Sequence, residues 1–158
     1  MHKAVKLTDD ELLLLSDEVD SVIRTTPAKI RAQLADLVRL NRRLFVTHFY
    51  DVIATNPRSK DFITAENWDA RLRGEMENWL TELFSPVAQS GEAIRRRQLD
   101  VGSVHARMKV PISMMMRGFR ELKGVIVHEI MGSRVSAEHL SYAITLVSTL
   151  LDTSLAVI

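Results

Sequence analysis

Leu99-Asp-Val-Gly-Ser-Val-His105-Ala-Arg-Met-Lys-Val-Pro111 decides how the rest of this chain is read. The stretch has the pattern of a helix closed by a proline: Pro111 pushes Val110 out of helical conformation and has no N–H with which to continue the ladder. Counting back from Met108 at helical spacing gives His105, Val101, Gln98 and Ile94, a largely apolar stripe that carries one imidazole. An imidazole on a core-facing stripe needs a partner, because burying an unpaired polar group is costly. Two kinds of partner are open. One is a carbonyl or hydroxyl of the protein, the usual arrangement for a buried polar group; the other is a metal.

Working outward, 158 residues suit one domain with a substantial core. A formal net charge of +1 gives no electrostatic case for nucleic acid or an anionic membrane. The chain has no cysteine, which removes disulfides, thiolate catalysis and iron–sulfur ligation. Glycine and proline are sparse and apolar residues recur at three and four, so the fold class expected is all-α. Met1-His-Lys-Ala-Val-Lys leads quickly to Asp9, Asp10 and Glu11, unlike a signal peptide. The apolar runs at 12–15 and 144–151 are short for a bilayer, so a cytoplasmic protein without a membrane span is expected.

Thr8-Asp-Asp-Glu11 is a capping-box pattern that starts a short helix through Leu15, with a second helical stretch from Asp17 to about Thr25, before Pro27. Residues 28–54 form a long periodic helix whose apolar face is Leu34, Leu37, Val38, Phe45, Phe49 and Val52, broken by Asn41 and His48. Tyr50 sits beside that face in line with Val46 and Ile53. After Asn56-Pro57, a connection around Phe62 and Ile63 leads to a helix from about residue 65 to Phe84. Trp68, Leu72, Met76, Trp79 and Leu83 share one of its faces. Residues 92–108 form the His105 helix; Arg95-Arg-Arg97 reads as a solvated face, and Gly102 leaves room for close approach to the backbone. His48 is read as structural, and His2 and His139 as solvated. His128-Glu129 lacks the second histidine of a His-Glu-x-x-His zinc site.

Residues 112–131 and 136–158 form the last two helices, and both exceed a single apolar stripe. The first carries Ile112, Met115, Met116, Phe119, Leu122 and Ile126, the second Leu140, Ile144, Val147, Leu151 and Leu155. A helix apolar on two sides needs two burial partners, so a homodimer through a four-helix bundle of these helices is expected. An apolar ending at Ala156-Val-Ile158 reads as a piece of a longer protein.

The run His105-Ala-Arg-Met-Lys-Val-Pro111, followed by Met116-Arg-Gly-Phe119-Arg, resembles the proximal-histidine region of the globin-coupled sensors. Phe49-Tyr50-Asp-Val-Ile53 and Trp68-Asp-Ala-Arg-Leu72 match in order and register. The similarity runs from about Asp17 to the end. The histidine motif is most like that of sensors attached to diguanylate cyclases, enzymes that make cyclic di-GMP.

The resemblance implies a sensor globin over 1–158, with 1–16 as an N-terminal extension and an output module outside this chain. It implies His105 as the proximal ligand of haem iron and Tyr50 as hydrogen-bond donor to bound O2; CO and NO are further ligands. Phe49, Ile53, Phe62, Leu72, Met76, Leu99, Val101, Met108, Val110, Met115 and Phe119 are the pocket residues. Lacking cysteine, the chain would hold haem b non-covalently. The fragment itself would not be an enzyme. A haem-free helical dimerisation module and a stand-alone oxygen-binding globin are the alternatives; no nucleophile–His–carboxylate arrangement suggests a hydrolase.

Overall fold

A computed structural model describes residues 7–86 and 89–158; His2 lies outside them. Helix α1 (Asp9–Thr25) opens on the expected capping box: the Thr8 hydroxyl accepts from the Glu11 amide, and the Glu11 carboxylate accepts from the Thr8 amide at 2.7 Å. Those donors hold the Glu11 carboxyl below the usual carboxylate range. Contrary to the expected break after Leu15, α1 is one helix. Ser16 does not cap a second segment; its hydroxyl donates back to the Leu12 carbonyl at 3.0 Å and is buried.

Helix α2 (Ala28–Ala54) follows Pro27 with the expected bounds. A 3-10 turn (Ser59–Asp61) leads to a short helix α3 (Ala65–Asn67), capped by Thr64. A π turn (Trp68–Leu72) comes next and passes directly into α4 (Arg73–Leu83). The sequence reading had one regular helix there. Helix α5 (Gly91–Met108) is capped by Ser90 and ends on Lys109, whose φ of 55° puts a non-glycine residue in the left-handed region. Pro111 then starts α6 (Ile112–Gly132), and α7 (Ala137–Val157) completes an all-helical fold without strands among the described residues.

Packing divides the helices into two groups that meet at α7. Helix α2 packs on α4 and α6, while α5 packs on α1 and α7; α7 in turn touches α6 and α2. By length and composition α7 is apolar enough to cross a membrane, which the shorter run at 144–151 did not suggest. In this fold Leu146, Val147, Leu150 and Leu151 are sealed in the core. Helix α7 packs on α6, α1, α5 and α2 within the chain. Helix α6 keeps Ile112, Met116 and Met131 exposed.

Two glycines permit contacts that fix this arrangement. A methyl group on Gly91 would run into the Ser16 carbonyl, so α5 can begin against α1 only with glycine there. A methyl on Gly118 would strike the Phe49 ring, which fills the gap in α6.

Candidate haem-type ligand site

Helices α4 and α5 follow one another in the chain and are tied together by side chains. One buried bond closes this pair at one end: the Trp79 indole N–H donates to Gln98 Oε1 at 3.0 Å. Arg97 Nε lies 3.1 Å from Glu82 beside it. Trp79 also meets Phe119 of α6 edge-on, with ring centres 5.8 Å apart. Along the chain, Met76 lies one turn before Trp79 and Val101 one turn after Gln98, with Leu72 and His105 a further turn along each. The pair has little close backbone approach, so it is held by side chains at its closed end.

His105 is half-buried, and its Nδ1 lies 2.9 Å from the Val101 carbonyl oxygen. A carbonyl can only accept, so a neutral ring bonded this way carries its proton on Nδ1 and leaves the Nε2 lone pair free. Nε2 has no partner among the described residues. The Val101 carbonyl is the protein partner expected of a buried imidazole, and the neighbouring Ser103 hydroxyl donates instead to the Leu99 carbonyl at 2.9 Å.

Tyr50 enters from α2, half-buried, with its ring stacked on the indole of Trp68 at a centroid distance of 4.5 Å and 15° between planes. Its hydroxyl has no hydrogen-bond partner among the described residues and is not sealed from its surroundings. Phe49, Tyr50, Ile63, Leu72, Met76, Val101 and Phe119 all rest on the core with one flank and remain partly open on the other. Ile53 is buried; Phe62, Val110 and Met115 are half-buried without packing on the central core. Leu99 and Met108 are exposed, at 37% and 45%. The stripe read from Met108 back to Ile94 thus holds for Ile94, Gln98 and Val101 and ends in an exposed residue at Met108, the last of α5. Leu99, six residues before His105, is rotated well away from it around the helix.

The other described histidines have protein or solvent surroundings. His48 Nε2 is 3.6 Å from Glu121, His139 Nδ1 is 2.8 Å from the Ser136 hydroxyl, and His128 is exposed. Within the arginine run, Arg96 pairs with Glu92 and Arg97 with Glu82, whereas Arg95 is half-buried with its Nε unpaired. Gly102, expected to allow close approach, meets Ile158: a Cβ there would lie 2.7 Å from the Ile158 carbonyl oxygen.

These residues fit a flat apolar macrocycle carrying a metal. The donor set is one neutral imidazole with a free nitrogen, the flanking surface is apolar, and an unpaired phenol comes from a different helix. Sequence reasoning named His105, Tyr50, Leu72 and Met76; it gave no role to Trp68 or to the Trp79–Gln98 bond. A polar residue at position 98, two turns before His105 on the same face, was the one available sign of the latter.

Comparison with known proteins gives the family and the fold. The family model described as Protoglobin matches residues 23–158. Diguanylate cyclase DosC of Escherichia coli (strain K12) is 27% identical over 123 residues, 78% of this chain and 27% of that protein. The Shigella flexneri protein of the same name is also 27% identical, and the match covers 32% of it. The chain therefore spans about a third or less of the curated relatives it matches. Among solved structures, the ferric globin domain of E. coli DosC superposes with a TM-score of 0.83 at 24% identity, covering 91% of this chain and 97% of that one. The globin domain of the Geobacter sulfurreducens globin-coupled sensor gives 0.76 at 18% identity, covering 96% and 95%. At these identities the two structures establish the globin fold.

Proposed function

The chain belongs to the protoglobin family, and from that premise we propose that it is a haem-binding globin domain that senses O2 and regulates a C-terminal output module, a diguanylate cyclase making cyclic di-GMP. The observation that carries this reading is His105, with Nδ1 committed to Val101 and Nε2 free. The group is haem b, held without a covalent link because the chain has no cysteine. When bound, it supplies an iron site for reversible attachment of O2, CO or NO.

The chain's own residues do the rest. His105 holds the iron through Nε2, and the Val101 carbonyl keeps the imidazole in the right tautomer and makes it a better donor. Leu72 and Met76, apolar and partly open, would limit water entry to the site. Tyr50 donates its phenolic hydrogen to a diatomic ligand that gathers negative charge. Such a bond to a charged group contributes about 1.5–3 kcal/mol, roughly ten- to a hundredfold in affinity, and favours O2 over the less polar CO.

Output follows from the placement of α5. A shift at His105 reaches Ile112 through the turn at Lys109–Pro111, and reaches the end of α7 through Gly102 against Ile158. Exposed Ile112, Met116 and Met131 on α6 support a homodimer through the last two helices. A packed interface of that kind switches between discrete arrangements, so a small shift suffices. We place the protein in the cytoplasm, where the cyclase substrate is.

Substitution of Tyr50 tests the reading. Tyr50→Phe accelerates O2 dissociation at least several-fold in stopped-flow traces while CO dissociation changes little; an unchanged O2 off-rate removes Tyr50 from the mechanism.

A further inference from the structure

Trp68 occupies a position that core filling alone does not explain. It is 5% exposed, it opens the π turn, and its indole lies flat against the Tyr50 ring. The Tyr50 hydroxyl has no protein partner among the described residues, so no hydrogen bond holds the phenol in direction. Its first side-chain torsion is limited by the helix, but the second is broad and two-fold, so ring contacts settle the plane. The face of Trp68 is the ring contact the structure supplies.

The π turn accounts for that contact. The Arg73 amide bonds the Trp68 carbonyl five residues back, where a regular helix would bond four back. The wider turn rotates Trp68 around the axis relative to Leu72 and Met76. The indole meets Tyr50 of α2, while Leu72 and Met76 rest partly open on the core. π turns of this kind recur at functional sites.

We infer that Trp68 is a positioning residue: by stacking on Tyr50 it fixes the direction of the phenolic O–H, and so sets the strength of the hydrogen bond that Tyr50 gives to O2. The inference rests on the globin reading above. Hydrogen bonds weaken steeply with misalignment, so control of direction is control of O2 retention. CO, a poorer acceptor, is affected much less.

Two measurements test this. In haem-loaded protein, Trp68→Leu raises the O2 dissociation rate about two- to tenfold, leaves CO dissociation near wild type, and is rescued by Trp68→Phe, which keeps an aromatic face. In a Tyr50→Phe background the same Trp68→Leu change adds nothing, because the group it positions is gone. Should Trp68→Leu not fold, Trp68→Met removes the ring with less loss of volume.

The second measurement needs no haem. The chain has two tyrosines, Tyr50 and Tyr142, so ring-labelled tyrosine gives two sets of NMR signals. In cofactor-free protein the Tyr50 ring is displaced upfield by the indole ring current, and Trp68→Leu returns it toward the position of exposed Tyr142. An undisplaced Tyr50 signal, or an equal effect of Trp68→Leu on O2 release with and without the Tyr50 hydroxyl, overturns the inference. A wild-type protein that takes up no haem, or a Tyr50→Phe variant with unchanged O2 release, fails the globin reading. Tyr50→Phe active with Trp68→Leu inert fails the positioning role alone.

Discussion

The Trp79 indole N–H of α4 donates to Gln98 Oε1 of α5 across 3.0 Å, with both side chains buried. This bond ties α4, which carries Met76, to the helix that carries His105, one turn from Met76 and two turns from His105. Replacing Gln98 by Met keeps most of its volume but leaves a buried indole N–H without an acceptor. Gln98→Met is therefore expected to cost about 1–3 kcal/mol. Urea unfolding monitored by circular dichroism reads the loss; a midpoint equal to wild type shows that the bond contributes nothing net.

Gly91 marks the contact that seats α5 on α1. A methyl group there meets backbone, the Ser16 carbonyl, which cannot rotate aside. Gly91→Ala is expected to destabilise by at least about 1–3 kcal/mol, the usual range for overpacking. For a domain of this size that lowers Tm by several degrees. Gly74→Ala, where a methyl meets nothing within 4 Å, is the control and should leave Tm unchanged or raised.

Lys109 ends α5 in the left-handed conformation, four residues after His105. An L-residue bears about 1–2 kcal/mol of strain there that glycine does not. Lys109→Gly recovers part of it, offset by the extra freedom glycine has in the unfolded chain. The expected result is a Tm raised by about 1–4 °C. A lowered Tm would mean that the lysine side chain stabilises the turn by more than the strain.

At the N-terminus, the Thr8 amide and hydroxyl hold the Glu11 carboxyl below its ordinary range. A lowered folded-state pKa gives stability that is present above the unfolded value and is lost as pH falls through the folded one. Amide exchange in the first turn of α1 should accelerate, relative to the middle of the helix, as pH drops below the carboxylate range. Glu11→Gln should abolish that pH dependence. A first turn equally protected at acid and neutral pH would contradict this account.

How far the sequence could be read depends on where the information lies. Pro27, Pro111 and the Thr8–Glu11 box are local signals, and each sits where its helix begins or ends in the structure. The unbroken α1 was not legible because Ser16 suits a helix boundary locally. Its fate is decided by α5, which presses Gly91 onto it. The π turn at Trp68 is hidden for the same reason: spacings of four and three look alike in either geometry. His105 and Tyr50 were found through motif resemblance, while the Val101 carbonyl follows from helical spacing, four residues back. Met108 was misjudged because a stripe counted at fixed spacing takes no account of the helix ending one residue later. The apolarity of α7 was legible as a need for burial, and the sequence does not say which helices of the chain, α1, α5 and α6 among them, pack on it.

Iron ligation by His105 is most directly tested by the visible absorption spectrum of the purified chain, reconstituted with haemin and reduced in the absence of oxygen. The account predicts one haem per chain with the spectrum of five-coordinate, histidine-ligated ferrous iron, and loss of that spectrum in a folded His105→Ala variant. A folded wild-type protein that stays colourless, or a His105→Ala variant with the same spectrum, would contradict it.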